Sequence, residues 1–277
     1  MTATSDTQVT VTQFTDPMCT WCWGSEPIIR HLHVAYGNQL QVTYVMGGLI
    51  EDFEEFYDAR NDISEPDDVA PHWLEASDIH GMPVDVDIFD VDPALSTYPA
   101  SIAFVAARQQ NEALANRYLR RLREAYATQV RNINNREEQV KLARRVGLDI
   151  GEFTTALDNG RARSEFQNDL LRTRAAGVRA FPTYHIDGPA GDRQISAFRS
   201  FDDLVDALSA VAPSLEQSSP PSIERFITEY GPVATQEVAE VYQVSRDKAH
   251  QTLQALGDEG ILRRESRGNG VFWDRSQ

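Results

Sequence analysis

The chain has 277 residues, of which 41% are hydrophobic and 25% charged, and its net charge is −16. This is the balance of a folded globular protein with room for one large domain or two ordinary ones, and it excludes a disordered or fibrous chain. No run of 18 apolar residues occurs, which excludes a membrane-spanning helix, and the acidic balance argues against a surface that binds nucleic acid throughout.

The basic residues are almost all arginine, since Lys141 and Lys248 are the only lysines. Many carboxylates with so little lysine favour an acidic surface kept soluble in concentrated salt, and hence a salt-loving source. A GC-rich genome that codes Arg in place of Lys is the alternative. Residues 1–6 have neither a basic nor an apolar region of the kind found in secretory signals, so the sequence predicts a cytoplasmic location.

The first third of the chain predicts a βαβ unit. Residues 8–14 alternate apolar and polar side chains and predict a strand that ends at Asp16-Pro17. An amphipathic segment to about Tyr36 predicts a helix, and residues 41–50 predict a second strand. Strand, helix and strand within about 40 residues indicate a parallel pair joined by a helix.

The middle of the chain predicts a helical block. Residues 51–98 are acidic and rich in turn formers, and one long helix is predicted over about residues 99–129. Asn135 and Asp149 are predicted N-caps. The three helices predicted after the long one span about residues 135–146, 149–157 and 164–176.

The β signal then returns around a proline. Residues 178–186 predict a strand that contains Pro182, residues 194–197 predict a short partner strand, and residues 201–211 predict a closing helix. The order of elements is therefore βαβ, a helical block and ββα. A cis bond before Pro182 would turn the chain toward the cysteines, but local sequence alone favours an ordinary trans edge proline.

The C-terminal residues predict a separate module. A polar linker spans residues 214–221, and residues 222–277 predict three short helices and a β-hairpin, which is the pattern of a winged helix-turn-helix. This module has nine acidic and seven basic residues, so it is not basic. A protein-docking or dimerisation role is therefore the alternative to DNA binding. The candidate DNA or partner contacts are Arg246, Lys248, Arg263, Arg264 and Arg267.

The only two cysteines, Cys19 and Cys22, lie at the predicted strand-to-helix junction. Because a helix N-terminus favours an anion, the pKa of Cys19 is expected to fall and its thiolate to act as the nucleophile. Cys22, one turn further on, can attack a mixed disulfide and release the substrate. A structural zinc site needs more ligands than this pair offers, so no metal and no cofactor are predicted.

Residues 16–24 (Asp-Pro-Met-Cys-Thr-Trp-Cys-Trp-Gly), followed by Glu26-Pro27, resemble the DsbA family of thioredoxin-fold oxidoreductases. They look most like its FrnE-like branch, which includes relatives that serve as ClpXP protease adaptors. Residues 177–183 are similar to the family's Gly-Val-x-x-x-Pro-Thr stretch, whose proline is cis. The resemblance covers roughly residues 8–212 and does not include the C-terminal module.

The resemblance implies an α/β protein with a thioredoxin fold over residues 1–213 and an all-helical insertion at about residues 55–176. The residue pattern after the linker adds a small winged-helix domain to this expectation. It implies that Cys19, Cys22 and Pro182 are catalytic and that Phe181 binds substrate beside the proline. Proline is frequent in the family where Thr20 stands, which leaves the redox potential open.

Four neighbouring residues are weaker candidates. Trp21 is expected to offer an apolar contact to substrates, whereas Trp23 is expected in the core. Asp16 could form an Asx turn or tune Cys19. Glu26 could transfer a proton, although an exposed helix carboxylate is the more ordinary interpretation.

The sequence thus favours a thiol–disulfide oxidoreductase that acts on protein or low-molecular-weight disulfides. Two alternatives stay open: a redox-sensing transcriptional regulator in which oxidation changes what the winged helix binds, and a non-catalytic adaptor that presents partners to a protease. A glutathione-using isomerase is disfavoured, because such relatives commonly have Ser where Cys19 stands. The sequence predicts neither the direction of electron flow nor the oligomeric state.

Overall fold

The computed structural model describes residues 9–276, so residues 1–8 of the N-terminal prediction, including Gln8 of the first strand, and Gln277 lie outside the described residues. Within this range, no helix is long and apolar enough to cross a membrane. The α-helices are α1 Thr20–Gly24, α2 Glu26–Tyr36, α3 Val69–His80, α4 Ile88–Val91, α5 Tyr98–Arg108, α6 Glu112–Thr128, α7 Arg136–Val146, α8 Ile150–Asp158, α9 Arg161–Ala175, α10 Phe201–Val211, α11 Ile223–Tyr230, α12 Thr235–Val241 and α13 Arg246–Asp258. The strands are β1 Val9–Thr15, β2 Leu40–Met46, β3 Thr183–Gly188, β4 Gly191–Ser196, β5 Val233–Ala234, β6 Leu262–Arg267 and β7 Gly270–Arg275.

The N-terminal sheet has the strand order β2-β1-β3-β4. Strands β1 and β2 are parallel, whereas β3 runs antiparallel to both β1 and β4. Val11 of β1 lies between Val42 and Ile186 of its two neighbours, and all three side chains are buried in the main core. This arrangement confirms the predicted βαβ and ββα halves and the thioredoxin-type fold.

The insertion between the two halves is largely helical, as predicted, but its boundaries differ at three places. The predicted long helix is two helices, because the side chain of Asn111 accepts a hydrogen bond from Leu114 N at 2.9 Å and begins α6. Helix α9 begins at Arg161, earlier than predicted, and β3 begins only at Thr183. Helix α3 was not predicted, since it lies in the segment interpreted as turns.

The C-terminal unit has its own apolar core, formed around α11, α12, α13 and a sheet of order β5-β7-β6. The three predicted helices and the hairpin are present, and β5 is an additional short strand that the sequence did not indicate. The assignment of this unit to the winged-helix class and the domain limits at residues 213 and 222 stay predictions.

The hairpin between β6 and β7 contacts the N-terminal part of the molecule. Asn269 N donates to Val84 O at 3.0 Å, and Asn269 Oδ1 accepts from Val84 N at 2.8 Å. Phe272 belongs to the main core, where its ring stacks on Trp23 with 6.4 Å between centroids. The C-terminal unit is therefore fixed to the thioredoxin-type part through its hairpin as well as through the linker.

Candidate redox site

The two cysteines lie where β1 gives way to α1. Cys19 is the N-cap residue of α1, Cys22 lies within that helix, and both are free thiols. Cys19 is 6% exposed, whereas Cys22 is 0% exposed. Cys19 also lines an open cavity, and Cys22 is not part of the lining of that cavity, so Cys19 is the more accessible of the two.

The segment before β3 closes over the accessible sulfur. The Phe181–Pro182 bond is cis, as the resemblance implied and local sequence alone did not. The Cys19 thiol points at the carbonyl oxygen of Phe181, with Sγ and O 3.9 Å apart. A β-carbon at Gly47, just after β2, would overlap the Phe181 ring, so glycine is needed there to admit it. The structure thus brings Cys19, Cys22, Phe181 and Pro182 together; their catalytic and binding roles stay predictions.

The charges around the two thiols differ from the expectation of an acidic Cys19. The hydrogen bond to Cys22 and burial raise the pKa of Cys19 well above its ordinary value. Burial also opposes ionisation of Cys22, but the hydrogen bond from Cys19, the charge of Arg123 and the hydroxyl of Thr15 outweigh it and lower the pKa of Cys22. The expectation of an acidic Cys19 is therefore wrong, because its thiol is hydrogen-bonded to Cys22 and buried, while the guanidinium of Arg123 favours the thiolate of Cys22.

Arg123 of α6 links the thiols to a buried carboxylate. Its guanidinium donates to Thr15 Oγ1 and to Glu26 Oε1. Glu26 is buried, which corrects the expectation of an exposed helix carboxylate. Burial opposes the ionisation of Glu26, but Arg123 and Arg120 outweigh it and lower its pKa, so the carboxylate stays charged and does not serve as a proton donor near neutral pH.

We call the buried charges around Arg123 the ion network. Arg120 joins Glu26, at 3.6 Å, to Glu237 of α12, whose oxygens accept from its two terminal nitrogens at 3.0 and 2.8 Å. The side chain of Glu237 is fully buried, so the C-terminal unit contributes a charge to the surroundings of the redox pair. The members of the ion network are Glu26, Arg30, Arg120, Arg121, Arg123, Glu124, Glu237 and Arg267.

Arg267 is therefore a correction to the predicted DNA or partner contacts. Its guanidinium binds Glu124 of α6 and Glu265, and its side chain is 9% exposed. The arginine is engaged within the molecule and not free for an external partner. The other four candidates, Arg246, Lys248, Arg263 and Arg264, are exposed; Arg263 pairs with Asp274 at 2.7 Å and Arg264 donates to Gln254 at 3.2 Å.

Asp16 organises the backbone beside Cys19. Its Oδ1 accepts from Met18 N at 2.9 Å, which is the predicted Asx turn, and its Oδ2 accepts from Leu49 N at 2.9 Å and Thr97 Oγ1 at 2.7 Å. Burial raises the pKa of Asp16 despite these hydrogen bonds. As an anion it would also oppose ionisation of Cys19, so any tuning by Asp16 acts against an acidic nucleophile.

His80, at the end of α3, is a residue near the redox pair that the sequence analysis missed. Its Nε2 lies 3.3 Å from Thr20 Oγ1, and its ring meets Trp21 edge-on with 5.9 Å between centroids. Burial lowers the pKa of His80 to about 4, so its ring is neutral at pH 7. A β-carbon at Gly24 would overlap this ring, and that small residue after the motif is the signal that could have indicated a close neighbour.

The two tryptophans occupy the places that the sequence suggested. Trp21 is half-buried at the surface beside Cys19, whereas Trp23 is buried and donates through Nε1 to Pro83 O at 2.8 Å. Trp21 is thus available to a substrate, and its predicted contact role stays a proposal.

The chain is similar to known proteins in sequence and in fold. A family model described as Thioredoxin matches residues 13–190. A curated relative from Halalkalibacterium halodurans, named ClpXP adapter protein SpxH, is 29% identical over 264 residues, which cover 94% of this chain and 86% of the relative.

Two solved structures are similar in fold. One, described as a probable DsbA oxidoreductase from Streptomyces coelicolor, has a TM-score of 0.58 at 16% identity and covers 78% of this chain and 93% of that one. The other, the cytosolic disulfide reductase DsbM from Pseudomonas aeruginosa, has a TM-score of 0.55 at 22% identity and covers 68% of this chain and 89% of that one.

Proposed function

The chain belongs to the thioredoxin family whose model covers residues 13–190, and on that premise we propose that it is a thiol–disulfide oxidoreductase using Cys19 and Cys22. The observation that carries the proposal is the difference between the sulfurs. Cys19 lines an open cavity beside Phe181, and Cys22 is fully buried. This is the arrangement required for an attacking thiol and a resolving thiol.

The hydrogen bond between the two thiols provides an acceptor for the proton of Cys19. When Cys19 attacks a substrate disulfide, its proton passes along the hydrogen bond to the Cys22 thiolate. A bond forms between Cys19 and one substrate sulfur, and the other substrate sulfur leaves as a thiolate. Cys22 then attacks the sulfur of Cys19 and releases the second substrate sulfur as a thiolate, the proton of Cys22 passes to one of the two released thiolates, and a Cys19–Cys22 disulfide remains. Two electrons have moved to the substrate, and the reverse sequence oxidises a dithiol.

The test compares the Cys19→Ser and Cys22→Ser variants on a disulfide substrate. We expect Cys19→Ser to lose turnover, and Cys22→Ser to stop after one equivalent as a covalent mixed disulfide, because its attacking thiol remains and its resolving thiol does not. Mass spectrometry detects the adduct, and thiol release measures turnover. Full turnover by Cys19→Ser would overturn the proposal.

A second candidate function is that of a protease adaptor. The relative named ClpXP adapter spans 94% of this chain, so its similarity extends into the C-terminal unit, whereas the oxidoreductase structures cover 68–78%. We propose that a protein partner binds both the thioredoxin-type part and the C-terminal unit. We also propose that the protein acts in the cytoplasm. A chain with only two cysteines fits that compartment.

The adaptor function does not need the sulfurs. The experiment incubates a cell-extract proteome with ClpXP, with and without the wild type or a Cys19→Ser/Cys22→Ser variant. An adaptor accelerates degradation of the same proteins with or without cysteines, and an oxidoreductase accelerates none. The other alternative, a redox-sensing transcriptional regulator that binds DNA through the winged helix, receives less support, because the hairpin and Arg267 contact the thioredoxin-type part.

A further inference from the structure

A cavity of about 420 Å³ opens beside the accessible sulfur. The redox motif contributes Cys19 and Trp21 to its lining, α3 contributes Trp73 and Ile79, and the segment after β2 contributes Phe53 and Phe56. Ile79 is 61% exposed at this cavity. Its volume and its mostly apolar lining fall in the range of ligand sites in proteins. An apolar group can therefore be held next to the reacting sulfur.

The segment that forms one wall of the cavity is also the most acidic part of the chain. Residues 51–68 contain nine carboxylates and one arginine, so these 18 residues hold half of the net charge of −16. Seven of the nine carboxylates are exposed, and none pairs with a basic side chain among the described residues. They are Glu51, Asp52, Glu54, Glu55, Asp58, Asp62, Glu65, Asp67 and Asp68.

The same short segment thus presents apolar side chains inward and carboxylates outward. Phe53 is buried and Phe56 half-buried, while Glu54 and Glu55 between them face solvent. The buried carboxylates Glu26 and Glu237 have arginine partners, whereas within residues 9–276 the carboxylates of residues 51–68 have none, so half of the net charge lies beside the cavity. A negative potential next to a cleft concentrates cationic ligands and repels anionic ones.

We propose that this cavity binds a cationic polypeptide segment that contains a cysteine. An apolar side chain of the segment enters the cavity, and its basic residues lie over residues 51–68. Bound in this way, the segment presents its cysteine sulfur to Cys19. The proposal rests on the oxidoreductase function proposed above and names its substrate class. Glutathione disulfide is disfavoured as the preferred substrate, because it carries two carboxylates for each ammonium group and the segment repels it.

The test uses the Cys22→Ser variant, which keeps the attacking thiol and stops at the mixed disulfide. Its substrates are short peptides whose single cysteine carries a thionitrobenzoate leaving group, so that attack releases a coloured thiolate. One peptide has lysines and a phenylalanine near the cysteine, the second has glutamates in place of the lysines, and the third has serine in place of the phenylalanine. Glutathione carrying the same leaving group is the anionic small-molecule comparison.

At about 0.1 M salt we expect the lysine–phenylalanine peptide to react about tenfold faster than the glutamate peptide or the glutathione adduct. At about 1 M salt, where the Debye length is about 3 Å, the charge preference falls and the preference for phenylalanine over serine persists. Equal rates for all peptides at both salt concentrations would overturn the proposal and leave residues 51–68 with a role in solubility only.

Matched variants show which residues cause the preferences for lysine and phenylalanine. Glu54→Gln/Glu55→Gln/Asp62→Asn removes three charges beside the cavity and reduces the lysine preference, whereas Asp192→Asn/Asp258→Asn/Glu259→Gln removes three exposed charges elsewhere and leaves it unchanged. Ala76→Phe fills the cavity, and Ile79→Ser changes only its exposed edge should the first variant fail to fold. Both reduce the preference for phenylalanine if the cavity binds that side chain.

A neutral dipyridyl disulfide separates the two proposals. If Cys22→Ser reacts with this reagent but shows no peptide preference, the substrate class is wrong and the oxidoreductase function stands. If Cys22→Ser forms no adduct with any of these reagents, the proposed function itself fails.

Discussion

Cys19 and Cys22 are three residues apart, yet their surroundings differ in exposure and in charge. The accessible sulfur lies beside the carbonyl oxygen of Phe181, and the buried one beside the Thr15 hydroxyl and the charge of Arg123. Arg123 therefore stabilises the thiolate form of the reduced pair and has no comparable effect on the disulfide. Since the reduced state is favoured in this way, the positive charge raises the reduction potential of the pair.

Replacing Arg123 by Met is expected to raise the pKa of Cys22 and to lower the reduction potential of the pair. One pKa unit corresponds to about 1.4 kcal/mol, which for this two-electron couple is about 30 mV. Equilibration with a series of glutathione or dithiothreitol redox buffers measures the potential, and the pH dependence of thiol alkylation measures the pKa.

Arg123→Lys keeps the charge and is the matched control, with a smaller change in potential than Arg123→Met. Glu26→Gln removes the opposing negative charge and is expected to shift the potential upward. Arg123→Met leaves the buried Glu26 with only the more distant Arg120 as an ion-pair partner, at a cost of up to about 3–5 kcal/mol, so the double variant Glu26→Gln/Arg123→Met is measured too. Equal potentials for the Met and Lys variants would contradict the role of the charge.

Among the elements, α3 connects the cavity and the redox motif. Trp73 lines the cavity, and His80 at the end of the helix accepts a hydrogen bond from Met82 N at 3.1 Å and lies against Thr20. Because the ring is buried in its neutral form, protonation of His80 disfavours the contact between α3 and α1. This gives the packing of α3 a dependence on pH.

Burial lowers the pKa of His80 from 6.5 to about 4, and this shift sets the direction in which the free energy of unfolding changes with pH. The folded state binds fewer protons than the unfolded state between these values, so the stabilisation is present above pH 6.5 and is lost as the pH falls toward 4. Its upper limit is about 3 kcal/mol. We expect His80→Gln to reduce the loss of unfolding free energy between pH 7.5 and about 4.5 in urea titrations. The same loss in wild type and variant would contradict this prediction.

Elements with local capping signals could be predicted, and elements defined by tertiary packing could not. Asn135 and Asp149 are the N-cap residues of α7 and α8, as predicted, and the side chain of Asp149 accepts a hydrogen bond from Glu152 N, whereas that of Asn135 makes no cap hydrogen bond to α7. Helix α3 has weak amphipathicity and follows a turn-rich acidic segment, so no periodic pattern marked it. It is helical because Trp73 and Ala76 are buried against the core and its end contacts α1.

The residues of the candidate site also fall into those that a local motif predicts and those that only the tertiary structure brings together. Cys19, Cys22 and Pro182 were identified from two motifs, each of which is only a few residues long. Arg123 reaches Glu26 across 97 residues and His80 reaches Thr20 across 60, and no local pattern records such pairs. The sequence offered one hint of the buried ion pair, which is the acid that follows the motif. Glu26 lies in the first turn of α2, and that turn is buried.

For the molecule as a whole, the hairpin between β6 and β7 holds the C-terminal unit against the thioredoxin-type part. Besides its two hydrogen bonds with Val84, Asn269 donates to Ser77 Oγ of α3 at 3.1 Å. Gly268 precedes it with a φ of +53°, and a β-carbon there would overlap the backbone carbonyl of Val84. Glycine at this position is therefore required both by its own conformation and by the contact between the two parts.

Gly268→Ala is expected to weaken this contact, and Gly260→Ala is its matched control. Gly260 also has a positive φ, of +75°, but a β-carbon there meets nothing within 4 Å. The control therefore carries only the conformational cost, about 1–2 kcal/mol, whereas Gly268→Ala adds about 1–3 kcal/mol for the overlap with Val84. Urea unfolding followed by tryptophan fluorescence measures both, and proteolysis within residues 214–221 detects release of the C-terminal unit. Equal destabilisation, with no added cleavage in Gly268→Ala, would show that the hairpin does not hold the two parts together.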